Sequence, residues 1–188
     1  MSMDVLEAIS TRRSIKQFTD RPVGRDEIKV LLEAAVQAPN HRMTQPWRFR
    51  VLGPEARRAY GGVLGMRKAK RVEDPEAARA VVEKVSATEA AVPVTIAVST
   101  TLDENPEIRE EDYASAMMAV QNLCLAARGM GLGTHIKSGA VMDDPRSREA
   151  LGIPEGERIV ATVHLGEPAA VPDMKPRRSA AEVTTWLP

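Results

Sequence analysis

The sequence predicts one domain that mixes helices with strands, and three observations carry that expectation. Ile28, Leu31, Leu32 and Ala35 recur at i, i+3, i+4 and i+7, the stripe of an amphipathic helix. Val92 to Thr100 (VPVTIAVST) is a continuous β-branched apolar run, which reads as a strand buried on both faces. The chain has 188 residues, 43% hydrophobic and 28% charged, so it has the length and composition to fold around one core.

The elements follow in order. A first helix runs from Asp4 to about Thr11, with Asp4 as N-cap and Val5, Leu6 and Ile9 at helical spacing. It ends in Thr11-Arg12-Arg13-Ser14. Arg12 and Ser14 at a fraying helix end can turn toward one anion. Cations placed favourably at a helix C-terminus are the plainer reading. Asp20 to Gly24 is turn-rich, and the second helix covers about Arg25 to Gln37. Trp47, Phe49 and Val51 alternate with Arg48 and Arg50, as in a half-buried strand over 47–52. Pro54 opens a helix to about Tyr60, after which Gly61, Gly62 and Gly65 weaken the helical pattern. The basic run Met66 to Arg71 reads either as an anion patch or as a solvated helix face. Asp74-Pro75 caps and opens a helix to about Ala87. Segment 60–90 looks the least core-like part of the chain and is a possible flap.

Charged residues and Pro106 put Leu102 to Glu110 in a loop, and the longest helix follows from about Glu111 to Gly129. Its apolar residues cover much of its circumference, which makes it central. Gly129, Gly131 and Gly133 close it. That pattern ends a helix, whereas a dinucleotide fingerprint opens one after a strand. Thr134 to Gly139 is a short extended piece, Asp144-Pro145 starts a helix to Leu151, and Arg158 to Leu165 is a strand. The tail, 169–188, ends in Val183-Thr184-Thr185-Trp186-Leu187. Apolar residues there point to docking, with a second subunit as one candidate.

Composition narrows the function. Lys+Arg and Asp+Glu are 26 each, so no net charge attracts nucleic acid or an anionic membrane. No apolar run approaches a membrane span, and one cysteine, Cys124, fits a reducing, cytoplasmic setting and a core role. The three histidines, His41, His135 and His164, stand on separate elements with no metal-ligand spacing. No nucleophile or acid/base set is evident.

The most informative stretch is the ten-residue loop Ala38-Pro39-Asn40-His41-Arg42-Met43-Thr44-Gln45-Pro46-Trp47. It exceeds the usual connection of about four to six residues. Prolines stiffen both ends, and five hydrogen-bonding side chains lie between them. Such a loop can present a fixed polar face to a planar ligand, or it is a turn with Trp47 as a core plug. With Arg12, Arg13, Ser14, Lys137 and Ser138 for an anion and Gln37, His41 and Gln45 as donors, the inventory suits an anionic planar cofactor that carries the difficult chemistry.

Taken in order, Arg12-Arg13-Ser14, Ala-Pro-x-His-x-x-x-Gln-Pro-Trp, Gln121-Asn122-Leu123, Gly129-x-Gly131-x-Gly133 with Ser138-Gly139, and His164-Leu165-Gly166-Glu167-Pro168 resemble the nitroreductase family, its small YdjA-like members above all. The resemblance implies an α+β fold with a central, mainly antiparallel sheet flanked by helices. It also implies an intertwined homodimer with FMN at the subunit interface. By that resemblance Arg12, Arg13 and Ser14 would hold the FMN phosphate and nearby atoms. Ile136, Lys137 and Ser138 match a second FMN segment, with Lys137 on the phosphate. Gln37, where the matched relatives carry Arg, and His41 would reach the flavin of the other subunit. Ala126 matches a position facing the nicotinamide. The implied activity passes hydride from NADH or NADPH through FMN to a nitroaromatic, quinone or similar small acceptor, with no protein residue as strong acid. A specialised flavin enzyme of the same fold (a dehalogenase or flavin-fragmenting enzyme) and a non-catalytic flavin-binding module are the alternatives.

Overall fold

Four antiparallel strands, in the spatial order β1-β2-β4-β3, form the frame of the fold. They are β1 (Trp47–Leu52), β2 (Val94–Thr101), β3 (Gly133–Lys137) and β4 (Glu157–Gly166). The structure is a computed structural model, and it describes residues 3–188. The helices are α1 (Val5–Thr11), α2 (Arg25–Ala35), α3 (Pro54–Ala69), α4 (Pro75–Ala90), α5 (Pro106–Gly129) and α6 (Pro145–Ala150). Among the described residues no helix is long and apolar enough to cross a membrane.

The sheet has two different faces. On one, Val94, Ile96, Val98, Val163 and Leu165 meet Leu31 and Ala35 of α2 and Ala116, Ala119, Val120, Leu123 and Ala127 of α5. Alanines on α5 let its backbone lie close to the strands, and Cys124 is buried among them as a small apolar group, its thiol pushed up by burial. On the other face, Leu52, Ala97 and Ile159 pack with Tyr60 and Val63 of α3 and with Leu151 and Ile153. The expected α+β sheet with flanking helices is therefore present.

Several local expectations are corrected. The segment expected to be a loop through Glu110 turns helical at Pro106. Asn105 caps it, its Oδ1 accepting from Glu107 N at 3.0 Å, and proline's fixed φ suits the first helical position. α3 does not fail at its glycines but runs on to Ala69. Gly61 and Gly65 face α4, and a Cβ on either would stand 2.7 Å from the Cα of Ser86 or Val82. The missing side chains are the contact itself, letting two helices touch backbone to backbone. The segment that looked least core-like thus has a buried inner face, including Tyr60, Val63, Val85, Ser86 and Glu89.

In β1 the alternation breaks. Val51 is exposed, whereas Arg50 is half-buried and Leu52 buried. Both faces of this edge strand are covered in part. Arg50 reaches across to Glu157 in a two-pronged ion pair at 2.8 and 3.0 Å. The apolar stripe of α1 also stays bare: Val5, Leu6 and Ile9 are 61%, 70% and 52% exposed. The tail beyond Pro168 is exposed throughout, with a short 3-10 turn at Ala180–Val183 and Trp186 90% exposed.

Candidate functional site

The loop 38–47 is held from within by Asn40. Its Oδ1 accepts from Gln45 N at 2.7 Å, and its Nδ2 donates to Thr44 Oγ1 at 3.1 Å and Ser115 Oγ at 3.3 Å. Thr44 in turn donates to the buried Asp112 at 2.5 Å. Arg42 folds back on Glu111 at 2.8 Å. Three of the five polar side chains are thereby spent on holding the loop to the N-terminal half of α5. Those left facing solvent are His41 and Gln45, beside Gln37 at the end of α2. Met43 and Gln45 adopt φ of 51° and 45°, a left-handed geometry that non-glycine residues enter only under constraint.

Arg12, Arg13 and Ser14 lie at the opposite end of α5, along the free edge of β3. Ser14 bridges Thr134, and Ile15 N donates to Thr134 O at 2.9 Å. The strap passes this close because Gly133 and Gly166, paired across β3 and β4, carry no side chains. A Cβ on Gly133 would fall 2.5 Å from Ile15, and one on Gly166 2.9 Å from Phe18. Arg128 fastens the end of α1 to α5, its Nε 2.9 Å from Thr11 Oγ1. Arg13 Nη1 donates to the carbonyls of Ser10 and Arg12 at 2.8 and 2.9 Å, which sets the plane of its guanidinium.

A pocket of about 890 Å³ opens beside this strap, lined by Arg12, Arg13, Ser14 and Lys16 and by Lys175 and Arg177 of the tail. Five cations around one cavity, with the hydroxyls of Ser10 and Ser14 and a single carboxylate, Asp173, form a donor set suited to a phosphate. Sequence reasoning missed Lys16, Lys175 and Arg177. Only the strap geometry and the tail's path bring them to Arg12.

A second pocket, about 660 Å³, lies where β3 meets α3 and α4, lined by Arg67, Lys68, His135, Ile136, Lys137 and Ser138 among others. The Lys137 ammonium points inward, 2.5 Å from Glu89 Oε1, and His164 Nε2 stands 2.8 Å from Glu89 Oε2. Burial pushes the Glu89 carboxyl up, but the contacts from His164 and Lys137 outweigh it and hold it at about 2. Burial lowers His135, and the charges of His164, Lys137 and Lys16 lower it further. Glu89 was not anticipated, although an acid spaced with Val82 and Val85 on the inner face of α4 is a readable signal. Ile136 packs toward the main core, as does Ala126 on α5. Among the described residues no group of His, Cys, Asp or Glu is arranged to hold a metal ion.

The structure therefore brings Arg12, Arg13 and Ser14 next to β3, the strand that leads into Ser138. Gln37, His41, Gln45 and Lys137 are not among the residues that line the pocket beside Arg12, Arg13 and Ser14. Ser115, which holds the loop, and Arg128, which holds the strap, are thirteen residues apart on α5, or about 20 Å.

Comparison with known proteins follows the same outline. The sequence profile described as the Nitroreductase family matches residues 9–167. YfhC of Bacillus subtilis strain 168, which carries a provisional NAD(P)H nitroreductase name, is 33% identical over 171 residues, covering 91% of this chain and 88% of YfhC. YdjA of Escherichia coli K12, provisionally named likewise, is 32% identical over 167 residues, covering 88% and 89%. The crystal structure of a nitroreductase-like family protein from Bacillus cereus superposes with a TM-score of 0.86 at 29% identity, covering 100% of this chain and 97% of that one. A protein from Desulfovibrio desulfuricans, solved in complex with FMN, superposes with a TM-score of 0.75 at 26% identity, covering 100% and 99%.

Proposed function

The chain belongs to the nitroreductase family, and on that premise we propose that it is an FMN-dependent oxidoreductase. In this reading it takes hydride from NADH or NADPH and passes it to a nitroaromatic, quinone or similar small acceptor. The observation that carries the reading is the cationic pocket beside β3, whose donor set fits a phosphate monoester. When bound, FMN supplies the hydride chemistry, so no side chain has to act as a strong acid.

The protein's own residues bind and orient. Arg12, Arg13 and Ser14 grip the phosphate, with Lys16, Lys175 and Arg177 at the same pocket. Ile136, Lys137 and Ser138 line the approach of the ring along β3. Gln37, His41 and Gln45 are not among the residues lining that pocket, which supports their reaching the flavin of a second copy. The bare apolar stripe of α1 and the exposed tail supply surface for such a homodimer. Ala126, half-buried on α5, is the position proposed to face the nicotinamide.

The test is a visible absorption spectrum of the purified protein, followed by NAD(P)H titration without oxygen. A yellow protein that bleaches on titration and recovers colour with a quinone is expected. The Arg12→Ala/Arg13→Ala variant should lose the colour. A wild type that stays colourless after FMN is added overturns the reading, and a yellow protein that oxidises NAD(P)H no faster than free FMN marks a binding module.

A further inference from the structure

We infer that Glu89 is a positioning residue of the flavin site, fixing the place of Lys137 and countering its ammonium from the end of α4. The inference rests on the functional reading above and deepens it. Glu89 is 5% exposed and faces two cationic candidates at once, Lys137 Nζ at 2.5 Å and His164 Nε2 at 2.8 Å.

These contacts join three elements that sequence keeps far apart. Lys137 lies opposite Thr162, His135 opposite His164, and His164 opposite Thr95, so β2, β3 and β4 present one polar patch to α4. Tyr60 of α3 sits on the same patch, and burial pushes its hydroxyl up to about 12, so it stays uncharged. Another buried polar cluster, Arg50 with Ser99 and Glu157, lies on the sheet, and much of the remaining cover is Val, Ile, Leu and Ala. Burying ions is a poor route to stability, since apolar residues of similar volume do as well or better. The patch also lies beneath the pocket that Ser138 and Ile136 line, next to the segment where the ring is proposed to rest. Arg67 and Lys68 are the other charges at that pocket, and Arg67 stands 3.9 Å from Asp144. Among the described residues Glu89 is the acid in that lining and the carboxylate paired with the ammonium of Lys137.

A paired ammonium adds no net charge beside the ring. An unpaired one favours the reduced, anionic ring over the oxidised one. The experiment uses the flavin-loaded protein and three variants, Glu89→Gln, Lys137→Met and the double change. It measures the midpoint potential of the bound flavin, with the thermal midpoint of the flavin-free protein alongside. Glu89→Gln should raise the affinity ratio of reduced to oxidised flavin about tenfold, an upward shift of about 30 mV for a two-electron couple. Lys137→Met should shift it downward, and the double variant should return close to wild type. Glu89→Gln keeps the side-chain shape and decides the sign by itself. Variants that lower the thermal midpoint yet leave the potential unmoved show a structural pair only and overturn the inference. A colourless wild type removes the functional reading, and this inference with it. A yellow wild type with unmoved potentials removes this inference alone.

Discussion

Asn40 offers the sharpest test of how the loop is built. Asn40→Ala deletes the acceptor for Gln45 N and the donors to Thr44 and Ser115. Two of these bonds face solvent, so each is worth the lower part of the usual range, about 0.5–1 kcal/mol, and the three together about 2 kcal/mol. The loss is offset in part. Met43 and Gln45 are held at φ of 51° and 45°, and freeing them returns about 1 kcal/mol of backbone strain. The net destabilisation is about 1 kcal/mol, which for a chain of this length lowers the thermal midpoint by about 2–4 °C. The effect on flavin should be larger than the effect on folding, because His41 and Gln45 lose their fixed direction. An FMN affinity weakened about tenfold corresponds to about 1.4 kcal/mol of lost orientation. Gln45→Gly is the companion variant. It accepts the left-handed backbone without strain and leaves Asn40 in place, so it should hold the midpoint steady while still weakening FMN. Calorimetry and flavin fluorescence titration read both quantities. An Asn40→Ala protein with an unchanged midpoint and unchanged flavin affinity would refute this account of the loop.

Two further outcomes follow from packing and charge. Gly65→Ala should cost about 1–3 kcal/mol in denaturant unfolding, because its Cβ meets the Val82 backbone at 2.7 Å, whereas Gly62→Ala, whose nearest neighbour is Ser86 Oγ at 3.6 Å, should be neutral or stabilising. Equal effects at the two positions would mean that α3 and α4 are not in backbone contact. The Glu89 carboxyl is held at about 2, below its ordinary 4.5, so its contribution of about 3 kcal/mol is present above pH 4.5 and fades as pH falls toward 2. The stability gap between wild type and Glu89→Gln should therefore narrow over that window, and a gap independent of pH contradicts the pairing.

What the sequence revealed and what it hid divide along physical lines. Local signals worked where one residue type has one good place. Asp4, Asp74 and Asp144 each cap the helix they precede, their side chains accepting from a first-turn N–H. The β-branched run became β2, buried along nearly its whole length. Signals failed where a residue's meaning depends on its partner. Gly61 and Gly65 look like helix breakers until α4 lies against them, and Pro106 looks like loop until Asn105 is seen to cap it. Val5, Leu6 and Ile9 form a correct stripe, yet among the described residues nothing buries it. In the candidate site, Arg12, Arg13, Ser14, His41 and Gln45 could be picked out as chemically capable groups. The cations contributed by the tail could not, because no spacing rule links Arg177 to Arg12. Glu89 was hidden for the same reason, since its two partners come from strands 48 and 75 residues further along.

The facing glycines of β3 and β4 have a consequence for how this protein can vary. Gly133 and Gly166 are neighbours across the ladder, and each is occupied from outside, one by Ile15 and the other by Phe18. Even a methyl group at either position would lift the N-terminal strap away from the sheet and spread the arginines it carries. A saturation library scored for retained yellow colour should thus show two blank columns, thirty-three positions apart, where no alternative survives. The same rigidity holds the strap that carries Arg12, Arg13 and Ser14 in place before any ligand arrives, so an anion bound there would cost little ordering entropy.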